Sequence, residues 1–150
     1  MSLSVEEKKQ GIRDLYEKAF NARNLDYLDQ VFDASYMDHS TDAPGPMDRD
    51  SFKQFVGMYF QAFPDMRFEI EGEIVAEGDY VAWRDVATGT HQGEFMGIPA
   101  TGKRIRITGV HIGQFDENGY AIAHWSAVDT LGMLQQLGVV PEIGVQPAMA

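Results

Sequence analysis

The sequence predicts an α+β fold, with helices first and an antiparallel sheet after them. Two observations carry this. Up to Phe63 the apolar residues recur at the 3.6-residue helical period, and from Met66 onward they fall in extended runs separated by Gly-containing turns. The change of period occurs once, with no internal repeat, so helices gather on one side of a sheet rather than alternating with strands.

The first helix begins at Ser4, because Ser4 and Glu7 have the spacing of a capping box. Ile12, Leu15, Tyr16, Ala19 and Phe20 share its apolar face. A shorter helix over "LDYLDQVF" is capped by Asn24 and turns Leu25, Leu28 and Phe32 inward. "DASYMDHSTDAPGP" reads as a loop, since prolines, glycine and small polar residues break both periods. In the next helix Phe52, Phe55, Val56, Tyr59, Phe60 and Phe63 form one stripe, with Asp50 as its cap and Pro64 as its end. Such a stripe packs on a sheet more readily than it binds a ligand.

"RFEIEGEIVAEG" and "YVAWRDVATGTH" form two strands turning at "EGD". "KRIRITGVHIGQF" and "YAIAHWSAV" form two more, turning at "DENG". "TLGMLQQLG" closes the ordered region as a helix that stops at Gly138, and the tail from residue 139 to 150 lacks a pattern. The reading is one domain over 1–150, with an ordered core over about 5–138.

Apolar residues make up 44% and charged residues 23%, an ordinary globular balance. The net charge of −11 repels phosphate backbones and anionic lipid, so neither nucleic acid nor a membrane surface is an expected partner. Cysteine is absent, which removes disulfides, thiolate nucleophiles and cysteine metal sites, and a cytoplasmic location is expected. "GIPATGKR" nearly matches a phosphate-binding loop, but Arg104 stands where the Mg²⁺-binding hydroxyl is needed and a strand follows instead of a helix. It reads as a connecting loop from which Phe95, Met96 and Ile98 cover the mouth of a pocket.

The four histidines show no H-x-x-x-H spacing, so no metal site is expected. The last hairpin matters more. With Gly119 in a left-handed bulge, Asp116 pairs with Tyr120, and His111 then shares a face with Trp125 and Asp129. A turn one residue different puts His111 beside His124 instead. Asp129 has two readings: an acid raised toward neutrality in an apolar pocket, or the cap of the helix starting at Thr130.

"AFPD", "EGDYVAWR", "GTHQGEFMGIPATGKR", "GQFDENGYAIAHW" and "DTLGMLQQLG" resemble the SnoaL-like polyketide cyclase family, within the nuclear transport factor 2-like superfamily. "VFDASYMDH" and "FKQFVGMYFQAFPD" fit as well, so the resemblance covers roughly residues 5–138. It implies a cone, or cystatin-like α+β barrel: a strongly curved antiparallel sheet around a pocket, closed by the N-terminal helices. It also implies an intramolecular aldol condensation on an anthraquinone-type ester with no metal or cofactor, in which an aspartate takes a proton from carbon. The aspartate of the family's "HW…D" pattern matches Asp129, His111 is a second pocket group, and His39 fits a pocket-mouth histidine. Relatives usually carry glutamate where this chain has Ala123.

Two functional readings follow. The first is a proton-transfer enzyme, cyclase or isomerase, acting on a hydrophobic carbonyl-bearing small molecule. Its catalytic residues are Asp129 and His111, and its substrate contacts are His39, Trp125, Trp83, Phe52, Phe55, Tyr59 and Phe95. The second is a non-catalytic binding or interaction module on the same scaffold. A homodimer is expected under either, and a tetramer is compatible with both.

Overall fold

A computed structural model of the chain describes residues 2–142. Most of the tail singled out above lies outside the described residues. Helix α1 (Val5–Asp14) begins with the expected box: Ser4 Oγ accepts from Glu7 N at 3.1 Å, and Glu7 Oε2 accepts from Ser4 N at 2.8 Å. The helix then continues as a π-helical stretch, Leu15–Phe20, whose wider turn brings Leu15, Tyr16 and Ala19 into the core. A short 3₁₀ turn (Leu25–Tyr27) leads into α2 (Leu28–Val31), but Asn24 makes no side-chain capping bond.

The segment read as a loop is the largest departure from the sequence reading. Phe32–Ser40 is a strand, β1, and only 41–46 forms a loop before the two-residue strand β2 (Met47–Asp48). In β1 the buried residues are Phe32, Tyr36, Asp38 and Ser40. Its inward face is therefore half polar, and the apolar alternation that announces a strand is missing. Helix α3 (Arg49–Ala62) is capped by Asp48, whose carboxylate accepts from Ser51 N at 2.8 Å, rather than by Asp50.

Four long strands follow: β3 (Arg67–Glu77), β4 (Tyr80–Thr90), β5 (Arg104–Phe115) and β6 (Ala121–Val128). The sheet order is β2-β1-β6-β5-β4-β3. It is curved and open rather than closed. All neighbours are antiparallel except β1 and β6, which run parallel. The helices cover the concave face, where Phe52, Tyr36, Phe32 and Trp83 belong to one core cluster. A second cluster of Phe63, Phe95, Ile105 and Met133 lies under the 91–103 loop and helix α4 (Thr130–Gln136). His91 is fully buried there, and its Nδ1 accepts from Thr101 N at 3.2 Å across the neck of that loop.

The last hairpin turns as expected, with Gly119 at φ 88° and Asp116 N donating to Tyr120 O at 2.8 Å. One residue later the register moves. Phe115 pairs with Ala121 but Gln114 pairs with Ala123, so Ile122 is an extra residue in β6. Beyond this bulge His111 faces Ser126 instead of Trp125, and the faces of β6 are exchanged relative to the simple count. His124 and Ser126 turn toward the helices, while Trp125 and Asp129 are exposed.

The shared face of His111, Trp125 and Asp129 is thereby corrected. Asp129 caps α4, its Oδ1 accepting from Gly132 N at 2.9 Å. Asp129→Ala is expected to cost about 1 kcal/mol of unfolding free energy in urea titrations, and Asp129→Asn much less. An alanine variant as stable as wild type would contradict the capping role.

Candidate active site

The concave face of the sheet and the helices enclose a cavity of about 140 Å³, open at its mouth. Its wall is overwhelmingly apolar, built from Tyr16, Phe20, Phe52, Phe55, Tyr59 and Trp83, among others. The stripe on α3 therefore does both jobs weighed above: Phe52 and Val56 are buried in the core, while Phe55 and Tyr59 face the cavity half-buried.

Across this apolar wall runs one connected line of polar groups. Asp38, on β1, is wholly inaccessible to water. Its Oδ2 accepts from Tyr36 Oη at 2.7 Å, and its Oδ1 accepts from Ser40 N at 2.9 Å and from the Ser40 hydroxyl. Parallel pairing sets Asp38 beside His124, whose Nδ1 lies 2.7 Å from Asp38 Oδ2. His124 Nε2 is 3.0 Å from His111 Nδ1. His111 Nε2 is in turn 2.9 Å from Asp85 Oδ1, a contact off the ring's N–H direction that leaves this nitrogen without a formal hydrogen bond. Asp85 Oδ2 accepts from Tyr16 Oη at 2.5 Å, and Tyr16 Oη accepts from Trp83 Nε1 at 2.7 Å.

Local structure explains each placement. On β4, Val81, Trp83, Asp85 and Ala87 alternate inward, so Asp85 reaches the cavity by strand parity alone. Trp83 pairs with His111 across to β5 and stacks on it at 5.1 Å, with ring planes 9° apart. The two histidine rings lie edge to edge, their planes 14° apart and their centroids 5.2 Å apart, as a direct nitrogen-to-nitrogen bond requires. Gly109 lies over the His111–Asp85 contact, where an added Cβ would come within 2.6 Å of Asp85 Oδ1 and 2.9 Å of His111 Nε2. Tyr16 reaches Asp85 from the π-helical stretch.

The electrostatics follow from burial and partners. Burial alone would raise the Asp38 carboxyl, but the His124 bond and charge, together with Ser40 and Tyr36, outweigh it and hold it below its ordinary value. Burial first, and then the neighbouring carboxylate, raises Tyr16 beside Asp85 and Tyr36 beside Asp38 well above the ordinary phenol. Both phenols therefore stay neutral donors. Tyr59 is raised for the same reasons, donating to Asp42 Oδ2 at 2.7 Å on the pocket wall. Ser126 is 8% exposed and lines the cavity, and among the described residues its hydroxyl has no hydrogen-bond partner.

The sequence-derived candidates divide into two groups. His111, Trp83, Phe52, Phe55 and Tyr59 line the cavity. His39 and Trp125 stack on each other at 5.4 Å on the outer face of the sheet. Asp129 is at its cap and Phe95 lies one layer behind the wall, 4.8 Å from Tyr59, while Met96 is 60% exposed. Asp38, Asp85, Tyr16 and His124 were missed. For Asp85 a signal existed, an acid on the apolar face of a strand. Asp38 was hidden in the unrecognised strand, and Tyr16 looked like core. Among the described residues no group of three or more His, Asp or Glu is arranged to hold a metal ion.

The profile of the SnoaL-like polyketide cyclases matches residues 10–137. The chain belongs to this family. AclR of Streptomyces galilaeus, provisionally described as a hydroxylase, is 29% identical with a TM-score of 0.82, over 94% of this chain and 87% of its own. IdmH of Streptomyces antibioticus, provisionally described as a polyketide cyclase, is 34% identical with a TM-score of 0.76, over 88% and 99%. A SnoaL-like protein of Jannaschia sp. shares the fold at 18% identity, with a TM-score of 0.82 over 94% and 99%. No curated protein matches the chain.

Asp38 supplies a pH-dependent part of stability in this SnoaL-like fold. Its folded value lies below the unfolded one, so its contribution is complete above about pH 4 and is lost as pH falls through the folded value. Asp38→Asn should lower unfolding free energy at pH 7 by roughly 2 kcal/mol, the scale of hydrogen bonds to a charged group. It should also flatten the acid limb of the stability curve below about pH 4. Parallel acid limbs in urea titrations of the two proteins would contradict this.

Proposed function

We propose that this chain is a cytoplasmic, cofactor-independent acid–base enzyme. Its substrate is a hydrophobic, carbonyl-bearing small molecule, and its reaction a cyclisation of the intramolecular aldol type or an isomerisation. The observation that carries this reading is the pair of touching histidines, each backed by a buried carboxylate, on the wall of an apolar pocket. Family membership and the likeness to IdmH support a cyclase. The likeness to AclR keeps an accessory hydroxylase among the outcomes to test.

The mechanism follows from which bond can open. Asp38 saturates its oxygens with protein donors and fixes the Nδ1 proton of His124 between them. Among the described residues His124 Nε2 and His111 Nδ1 bond only to each other. A substrate entering the pocket separates them and meets a base and an acid side by side. His124 Nε2 takes the proton from the carbon next to the carbonyl, and His111 Nδ1 gives one to the carbonyl oxygen. The unpartnered Ser126 hydroxyl, paired across the strands with His111, is placed to anchor a second oxygen of the substrate. Aromatic walls orient a flat molecule and keep water out.

Aromatic polyketide esters are the first substrates to screen, with hydroxyanthraquinones as binding probes. Turnover in wild type should fall by about 10²–10⁴-fold in His124→Gln, the scale of a lost general base. Ser126→Ala should raise KM more than it lowers kcat. Tight probe binding without turnover of any ester or ketone would instead make the pocket a binding site and favour the interaction module.

The outer face of the sheet supports a homodimer. Val75 on β3, Val110 and Ile112 on β5 and Trp125 on β6 are 58%, 55%, 42% and 37% exposed, and Ala82 of β4 lies between Val75 and Ile112, an apolar patch of the kind that marks an interface. Ultracentrifugation should give a dimer for wild type and a monomer for Ile112→Asp. A monomeric wild type would remove this part of the proposal.

A further inference from the structure

Asp85 carries a polar atom that nothing in the protein uses. The residue is 7% exposed and lines the cavity from β4. Its Oδ2 accepts from Tyr16 Oη, while among the described residues Oδ1 accepts no hydrogen bond. His111 Nε2 comes within 2.9 Å of Oδ1 but off the ring's N–H direction, so it does not serve that oxygen. His111 Nε2 is sealed from water, whereas Asp85 Oδ1 is not.

No group on the wall is free to supply the donor. A carboxylate oxygen only accepts, and no lysine or arginine lines the cavity. The one hydroxyl hydrogen of Tyr16 is spent on Oδ2, and the indole hydrogen of Trp83 is spent on Tyr16. The carboxylate is also fixed in its pose. Tyr16 holds one oxygen, and the other rests against Gly109, where an added Cβ would come within 2.6 Å of it. The donor that Oδ1 lacks must come from whatever fills the pocket.

We propose that Asp85 is the specificity-determining residue of this pocket, its Oδ1 accepting a hydrogen bond from a hydroxyl of the substrate. The ligand class is an uncharged, hydroxylated ketone or ester. Along the wall the order is Asp85, His111, His124, since Asp85 touches His111 and His111 bonds His124. In the reaction proposed above His111 meets the carbonyl oxygen and His124 the acidic C–H. The hydroxyl then lies on the side of the carbonyl away from that C–H, and a molecule so marked has one productive direction along the wall. This placement rests on the function proposed above, whereas the hydroxyl contact does not. A ligand with a methyl group in the same place would expel water from Oδ1 and return nothing, and a stranded acceptor costs its full desolvation. Aromatic walls hold many flat molecules alike, and this contact separates them.

Three uncharged probes on one ring system test the contact without turnover: 2-(hydroxymethyl)anthraquinone, its methyl ether and 2-ethylanthraquinone. Only the alcohol offers a donor. In fluorescence titrations wild type should bind the alcohol at least about 10-fold more tightly than either of the others, the scale of a hydrogen bond to a charged group. In Asp85→Asn the amide oxygen keeps Tyr16 and its NH₂ faces the cavity as a donor. The ether is then accepted like the alcohol, and their affinities should come within about threefold of each other. Asp85→Ser, whose hydroxyl also donates, takes its place if the Asn variant does not fold. Equal binding of the three probes by wild type, or binding of none, would overturn the proposal. An undiminished preference for the alcohol in the variant would overturn the assignment to Asp85. A preference for the alcohol without turnover of any ester would sink the enzymatic reading and leave the hydroxyl contact standing.

Discussion

A carboxylate cut off from water, Asp38, is the constraint around which this site is arranged. Removing such a charge from solvent costs several kcal/mol unless donors replace the lost water. Here the donors are Tyr36, Ser40 and His124, two from its own strand and one from the last. That requirement ties β1 to β6 in the sheet's one parallel pairing, with Asp38 opposite His124. The start of the sheet and its final long strand are thereby joined, and the histidine that faces the cavity is held in one tautomer. The rest of the polar line extends from that fixed point.

The same line solves a packing problem. Apolar side chains close the cavity, yet Trp83 and Tyr16 each bring a polar atom that needs a partner when buried. Trp83 Nε1 donates to Tyr16, and Tyr16 donates to Asp85, so the aromatic wall and the acid–base groups satisfy one another. The π-helical stretch is what aims Tyr16. Such π-helical departures occur frequently at functional sites, and this one sets Tyr16 beside Asp85. It belongs to the tertiary arrangement rather than to any propensity of "LYEKAF".

A single residue, Ile122, separates the inner chemistry from the outer surface. With the bulge, His124 and Ser126 face the cavity, while Trp125 stacks on His39 outside and joins the exposed patch with Ile112 and Val110. Without it the two sets would trade places, and the cavity would receive tryptophan and aspartate in place of histidine and serine. Which side chains line the cavity and which form the outer patch is thus set by one register decision.

Local pattern determined α1, α3, α4 and the four strands from β3 to β6, the Ser4 box, the end of α3 before Pro64 and the turn at Gly119, because these depend on residues close in sequence. The family resemblance added the curved sheet and its pocket. Strand parity puts Asp85 on the same side as Trp83, a local signal that the sequence reading did not take up. Three matters were decided only in three dimensions. Whether "DASYMDHS" is a strand depended on a parallel neighbour some 85 residues later in the chain, His124, which bonds Asp38 across a separation of 86. Which face of β6 turns inward depended on a bulge that leaves no mark in composition. Whether Asp129 is a cap or a pocket acid depended on that same register. In each case the deciding energy is a contact between distant segments, and a local pattern holds no record of it.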